Sequence, residues 1–153
     1  GSVEEEVGLR GAQTSAGHIL PDVAIVLDTA VAGDVPGIDA VKYPLKLGFG
    51  PGVMLFDKRY FPNQKLVTAL QESASRCGAA LQFSIMKTGA TDGGRYNVVG
   101  GGRPVVALCL PTRYLHANNS MISVKDYEAA YAMLFELLMS LNKEKVAGFT
   151  QFC

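Results

Sequence analysis

Apolar residues run along the chain in two rhythms. Val23 to Leu27 (VAIVL) and Val105 to Leu110 (VVALCL) are unbroken apolar runs, the pattern of strands buried on both faces. Val53 to Phe56 and Leu81 to Met86 predict shorter strands, the second with alternation. Tyr127, Ala130, Tyr131, Leu134, Leu137, Leu138 and Leu141 recur every three or four positions and predict a helix over Val124 to Asn142, with Ser123 as its cap and Asp126 three residues on. Pro62 and Gly78 bracket a further helix through Leu66, Leu70 and Cys77. A short helix-like run also follows Gly8. Helices interleaved with strands predict an α/β fold with a mostly parallel sheet. Asn142 to Cys153 reads as a polar, frayed tail, outside a domain of residues 3–142.

Composition narrows the class. A chain of 153 residues that is 48% apolar and 18% charged is the size of one domain with a real core. Fourteen basic residues balance fourteen acidic ones and Trp is absent, so the charge pattern of a nucleic-acid binder is missing. No apolar run approaches the roughly 20 residues of a membrane span, and no basic start precedes an apolar core as in a signal peptide. Cys77, Cys109 and Cys153 are too few and too scattered for a disulfide framework or a zinc knuckle, which suits a reducing cytoplasm. Gly48 to Gly52 (GFGPG) precedes a strand rather than a helix, so it is no phosphate cradle. Gly1 and Ser2 are expected to be the remnant of a cleaved tag.

The stretch VEEEVGLRGA, Val3 to Ala12, crowds three carboxylates together, which raises their proton affinity near a buried strand end unless a cation is present. It is either a solvated face or half of a metal site. Asp28 closes the run VAIVLD, beyond whose carboxyl end open α/β sheets collect ligands, although a loop Asp capping backbone N–H groups would look the same. His116 follows the VVALCL strand by a short turn, where a histidine is also compatible with surface filler. Taken together, Glu, Asp and His at successive strand ends offer the mixed oxygen and nitrogen ligands that zinc accepts.

The phrases EEVGLRGA, LDTAVAGDVPG, TDGG and PTRYLH, in this order between about Glu5 and Leu141, resemble the dinuclear metallo-aminopeptidases of the glutamyl or deblocking type. That family forms tetrahedral dodecamers, and many of its members have carried cellulase or endoglucanase names. The resemblance implies a three-layer α/β/α, zinc-peptidase-like fold and peptide substrates. It also implies two divalent ions, zinc or cobalt first and manganese as an alternative. By the same resemblance Glu5 is the general base, Glu6 and His116 hold one ion and Asp28 the other. Asp92, Gly93 and Arg113 are placed as residues that line or buttress the cleft. Two adjacent Glu side chains serve one site only where a strand ends, which Gly8 permits.

Some features depart from the family pattern. Glu4 adds a carboxylate with no assigned role and is read as surface, the run ANNS after His116 and the TDGGRYN stretch differ from the usual versions, and His18 has no counterpart. Cys109 is read as core rather than nucleophile. The family's remaining ligands, an upstream His and a bridging Asp, precede the EEVG pair, so the chain is expected to be the carboxyl-terminal part of a longer catalytic domain, incomplete at its start. On that expectation it binds metal poorly and does not turn over by itself. Two other classes remain: a glycoside hydrolase, which needs two carboxylates facing across a sugar and no metal, and a non-catalytic scaffold descended from a peptidase.

Overall fold

The computed structural model describes residues 1–151, so the expectation for Cys153 lies outside the described residues. The elements run α1 (Arg10–Ile19), β1 (Ala24–Val31), β2 (Gly52–Asp57), α2 (Gln64–Cys77), β3 (Gln82–Met86), α3 (Gly93–Tyr96), a 3-10 turn (Val99–Gly101), β4 (Val105–Thr112), α4 (Val124–Ser140) and α5 (Lys143–Gly148). The four strands form one sheet in the order β1-β4-β2-β3. β1 is parallel to β4 and β2 is parallel to β3, while the two pairs meet antiparallel through β2 and β4. The sheet is thus mixed, with two parallel pairs joined across its middle.

β4 explains why the core forms on both faces. Its side chains alternate, so Val106 and Leu108 join Leu66, Leu70, Met133 and Leu137 on one face, under α2 and α4. Val105, Ala107 and Cys109 join Ala24, Val26, Met54 and Tyr60 on the other, the side of α1 and α3. A strand covered on both faces has to be apolar throughout, and the unbroken VVALCL run is that requirement written in sequence. Cys109 is fully buried, where its neighbours in sequence placed it.

β1 differs from expectation in two respects. It continues to Val31, so Asp28 sits within the strand, opposite Cys109, rather than at its end. It is also an edge strand with one face open: Leu27 is 60% exposed, because the half-exposed Tyr127 and Tyr131 of α4 cover it only in part. An unbroken apolar run signals burial potential, not the neighbour that realises it.

Helix ends follow local chemistry. The Asn63 side chain accepts from the Leu66 amide at 3.0 Å to open α2, and Gly78, at φ 66, closes it. Ser123 caps α4, where the Asp126 amide donates to its hydroxyl at 3.4 Å. The expected frayed tail is instead α5, capped by Asn142, with Phe149 only 6% exposed in the core under α2 and α4. Asn63 and Lys65 donate to the Phe149 and Gly148 carbonyls at 2.9 Å each. The polar KEK stretch hides Val146 and Phe149, whose three-residue spacing anchors one side of a short helix.

Two carboxylates, Asp126 buried and Asp34 partly buried, set the loops. Asp126, 1% exposed, accepts from the Gly48 and Gly50 amides at 2.8 Å each and so fastens the GFGPG loop to the start of α4. Gly50 has φ 92, and a side chain there would run into the Ala80 carbonyl. Asp34 accepts from Nε and Nη2 of Arg113, at 3.0 Å and 2.7 Å, and from the Leu47 amide at 3.1 Å, and so ties the loop after β1 to the exit of β4. The guanidinium holds the Asp34 carboxyl below its ordinary proton affinity.

Replacing Asp126 by Ala strands two amides, and urea denaturation should show a loss of about 2 to 4 kcal/mol. Asp34→Asn should lower the thermal midpoint at neutral pH. Because the folded Asp34 proton affinity is depressed, that difference should persist down to about pH 4, the ordinary Asp range, and vanish only as the folded carboxyl titrates below it.

Candidate metal centre and cleft

The EEEV segment does not end a strand. Residues 5–8 form turns that wrap the start of α1: the Leu9 amide donates to the Glu5 carbonyl at 2.9 Å and the Gly11 amide to the Val3 carbonyl at 2.9 Å. The expectation that a strand end brings Glu5 and Glu6 to one site is therefore corrected. A turn does the same work, because consecutive side chains no longer have to point to opposite sides. Gly8, at φ 110, supplies the backbone freedom, and its carbonyl accepts from Arg95 at 2.9 Å.

The turn sorts the three glutamates. Glu4 adopts φ 55 and reaches Arg10 at 3.4 Å on the surface. Glu6 is exposed and its Oε1 lies 3.3 Å from Nδ1 of His116. Glu5 alone is partly buried. His116 itself has φ 64 and Tyr114 has φ 59, two left-handed conformations, the second of which a bulky aromatic side chain rarely adopts. That strained turn, following the Arg113–Met121 backbone bridge, carries the imidazole back to Glu6.

Electrostatics connect these residues to β1. The proton affinity of Glu5 is raised, first by burial and then by Asp28, Glu6 and Asp92, while His116 acts the other way. That of Asp28 is raised by burial, opposed by the Thr29 amide that donates to it at 2.7 Å, and raised further by Asp92, Glu6 and Asp57. Glu5, Glu6, Asp28 and His116 all line one cleft of about 560 Å³. The sequence-predicted catalytic and metal residues thus come together.

Asp92, Gly93 and Arg113 are placed differently. Asp92 acts on Glu5 and Asp28 through its charge, but its Oδ2 accepts from the Ser2 hydroxyl and its Oδ1 is buried with no hydrogen-bond partner. Gly93 is buried beneath the Tyr60 ring, where an added methyl group would lie 2.6 Å from Oη and Cζ. Arg113 is taken up by Asp34 and does not line the cleft. It buttresses the turn that bears His116.

Asp57 was not singled out from the sequence. It ends β2, is 1% exposed, and accepts from the Arg59 amide at 2.7 Å, the Thr91 amide at 3.0 Å and the Thr91 hydroxyl at 2.9 Å. The signal was available, since an Asp directly after an apolar run of a strand occurs twice in the chain, at Asp28 and at Asp57.

Among the described residues no three His, Cys, Asp or Glu side chains gather closely enough to hold an ion. The donor chemistry nonetheless fits a divalent cation: Glu6 and His116 present an oxygen and a nitrogen side by side, and the carboxylates around Asp28 include one buried oxygen without a donor.

Comparison with known proteins gives the same direction. Residues 1–133 match the family model of the M42 glutamyl aminopeptidases. The FrvX protein of Escherichia coli (strain K12), whose aminopeptidase name is itself provisional, is 75% identical over 152 residues, covering 99% of this chain and 43% of that protein. The TET aminopeptidase of the marine sediment archaeon Thaumarchaeota archaeon SCGC AB-539-E09 has a similar structure, with a TM-score of 0.94 at 44% identity over 97% of this chain and 42% of that one. The TET1 peptidase of Pyrococcus horikoshii, which can assemble into a tetrahedron or a large octahedral shell, has a TM-score of 0.72 at 28% identity over 90% of this chain and 38% of that one. The chain spans less than half the length of these relatives. With the family model matching residues 1–133, it belongs to the M42 glutamyl aminopeptidase family.

Proposed function

We propose that this chain is the base-bearing and partial metal-binding portion of a metal-dependent aminopeptidase that removes N-terminal residues from peptides. The observation that carries the reading is the convergence of Glu5, Glu6, Asp28 and His116 on one cleft. Glu6 and His116 would hold one divalent ion and Asp28 a second, with zinc or cobalt the best match to the mixed oxygen and nitrogen donors. When bound, such ions acidify water and polarise the scissile carbonyl.

Glu5 is the residue left to move the proton. Its partial burial and its carboxylate neighbours raise its proton affinity, which makes it a better base than an exposed Glu, and it is the one glutamate of the three turned inward without an ion-pair partner among the described residues. It would take the proton of the attacking water and return it to the leaving amine.

Glycan hydrolysis by paired carboxylates leaves the His116–Glu6 contact without a purpose. Homo-oligomerisation is proposed by analogy with the TET1 peptidase. Among the described residues no helix is long and apolar enough to cross a membrane.

An aminoacyl p-nitroanilide panel tests the reading on the protein in its full natural length. Hydrolysis should vanish with a chelator and return with zinc or cobalt. Glu5→Gln should lower kcat by about 100-fold or more while metal binding persists. Activity indifferent to chelator would move the assignment towards a metal-free hydrolase. This chain alone should not sustain turnover, and sustained turnover by it would refute the proposed division of ligands between this chain and the rest of the protein.

A further inference from the structure

β1 ends the sheet on one side, yet its outer edge is built like a strand of the interior. Ala24 and Ala32 donate to the Pro104 and Thr112 carbonyls at 2.9 and 3.0 Å, so the even-numbered residues bond to β4. Ile25, Leu27, Thr29 and Val31 therefore turn their amides and carbonyls away from the sheet. Among the described residues only the Thr29 amide of these finds an acceptor, the Asp28 carboxylate at 2.7 Å. Exposed edges are normally blunted by lysine, proline or a bulge. The eight residues of β1 (AIVLDTAV) include neither lysine nor proline, and their register with β4 is unbroken.

A groove borders this edge on each face of the sheet. On the side of α1 and α3, a groove of about 670 Å³ runs between Thr14, Ser15 and Tyr96 and the first half of β1. On the side of α4, an apolar groove of about 370 Å³ lies between Leu27, Leu110, Tyr127, Tyr131 and Leu134. α4 extends this second groove into a seam. Val124, Tyr127, Tyr131, Phe135 and Leu138 are each more than half exposed, at steps of three, four, four and three residues. Such steps keep side chains on one face and form the line along which a second helix packs. The opposite face of α4 already buries Met133 and Leu137, so the helix is apolar on both sides, as a helix between two neighbours is.

We infer that the β1 edge and the seam of α4 are a docking surface for the remainder of the natural protein, one strand pairing with β1 and one helix lying on α4, and that this remainder docks without a covalent link to the chain. Length supports that occupant: the chain covers 43% of FrvX, so more than half of such a protein lies outside it. Charge argues against a second copy. The Asp28 carboxylate reaches the edge, since it accepts from the outward Thr29 amide, and a second copy paired there would bring its own Asp28 to a cluster already crowded with carboxylates. Edge, seam and both grooves are already formed in this chain, so its side of the contact loses little ordering entropy, which favours docking between separate polypeptides. The inference goes beyond the aminopeptidase reading and does not depend on it.

The test coexpresses this chain and the remainder of the natural protein as two polypeptides. They should copurify as a one-to-one complex. In it, the Ile25 and Leu27 amides should exchange with deuterated solvent at least about 100-fold more slowly than in this chain alone, as in a paired strand. Leu27→Asp and Tyr131→Asp should each weaken the complex by about 10-fold or more, with the thermal midpoint of this chain alone unchanged. Val41→Asp, at a site 92% exposed in the loop between β1 and β2, should leave the complex intact. Failure to copurify, insolubility of the remainder included, would overturn the inference. So would a complex indifferent to Leu27→Asp, or protection of Ile25 and Leu27 in this chain alone that rises with its concentration, which would assign the edge to a second copy. A complex that forms and hydrolyses no peptide would leave the docking surface standing and remove the aminopeptidase reading. Hydrolysis by the full natural protein without association of the two pieces would do the opposite.

Discussion

Negative charge gathered around β1 is the constraint to which the rest of the structure answers. Burial raises the proton affinities of Glu5 and Asp28, and the charges of Glu6 and Asp92 raise them further. Among the described residues no Lys or Arg is bonded to any of these four carboxylates. A fold that assembles such a cluster pays in repulsion and desolvation, and a bound cation is the simplest compensation. Much of the remaining architecture keeps the cluster together. The β1–β4 pairing places Asp28, the turn around Gly8 turns Glu5 inward, and the left-handed turn at Tyr114 and His116 returns the imidazole to Glu6.

The supporting residues are carboxylates of a different kind. Asp34, Asp57 and Asp126 each collect backbone or side-chain donors and fix a loop. Saturated with donors, they hold position. Asp28 and Asp92 are under-supplied with donors, and under-supply is what leaves a carboxylate available to a ligand. The same distinction separates the arginines, since Arg113 is held by Asp34 while the exposed Arg59 has no side-chain partner among the described residues.

The sequence was legible where one principle dominated. β4 was read from hydrophobic rhythm because burial on both faces decides it, and α4 was read from the same rhythm although Met133 and Leu137 are its only buried apolar residues among the described residues. The tail over residues 142–149 was misread because two apolar anchors, Val146 and Phe149, are too few to establish a period against the polar KEK run. The extent of β1 was missed because Asp28 looked like a terminator, whereas TAV continues the pairing to Thr112. The motifs assigned Glu5, Glu6, Asp28 and His116 by resemblance, and the structure brings these four to one cleft. What resemblance did not convey was the means: a turn in place of a strand end, and Asp57 and Asp34 holding the loops from behind. Those contacts join residues more than thirty positions apart, and no local pattern encodes them.

Anomalous diffraction from crystals of the full natural protein grown with zinc or cobalt tests the central claim most directly. Two peaks are predicted, one within about 2.0 to 2.2 Å of ligand atoms of Glu6 and His116 and one bonded to Asp28, with Glu5 bonded to neither. A peak bonded to Glu5, or ions bound away from this cleft, would contradict the claim.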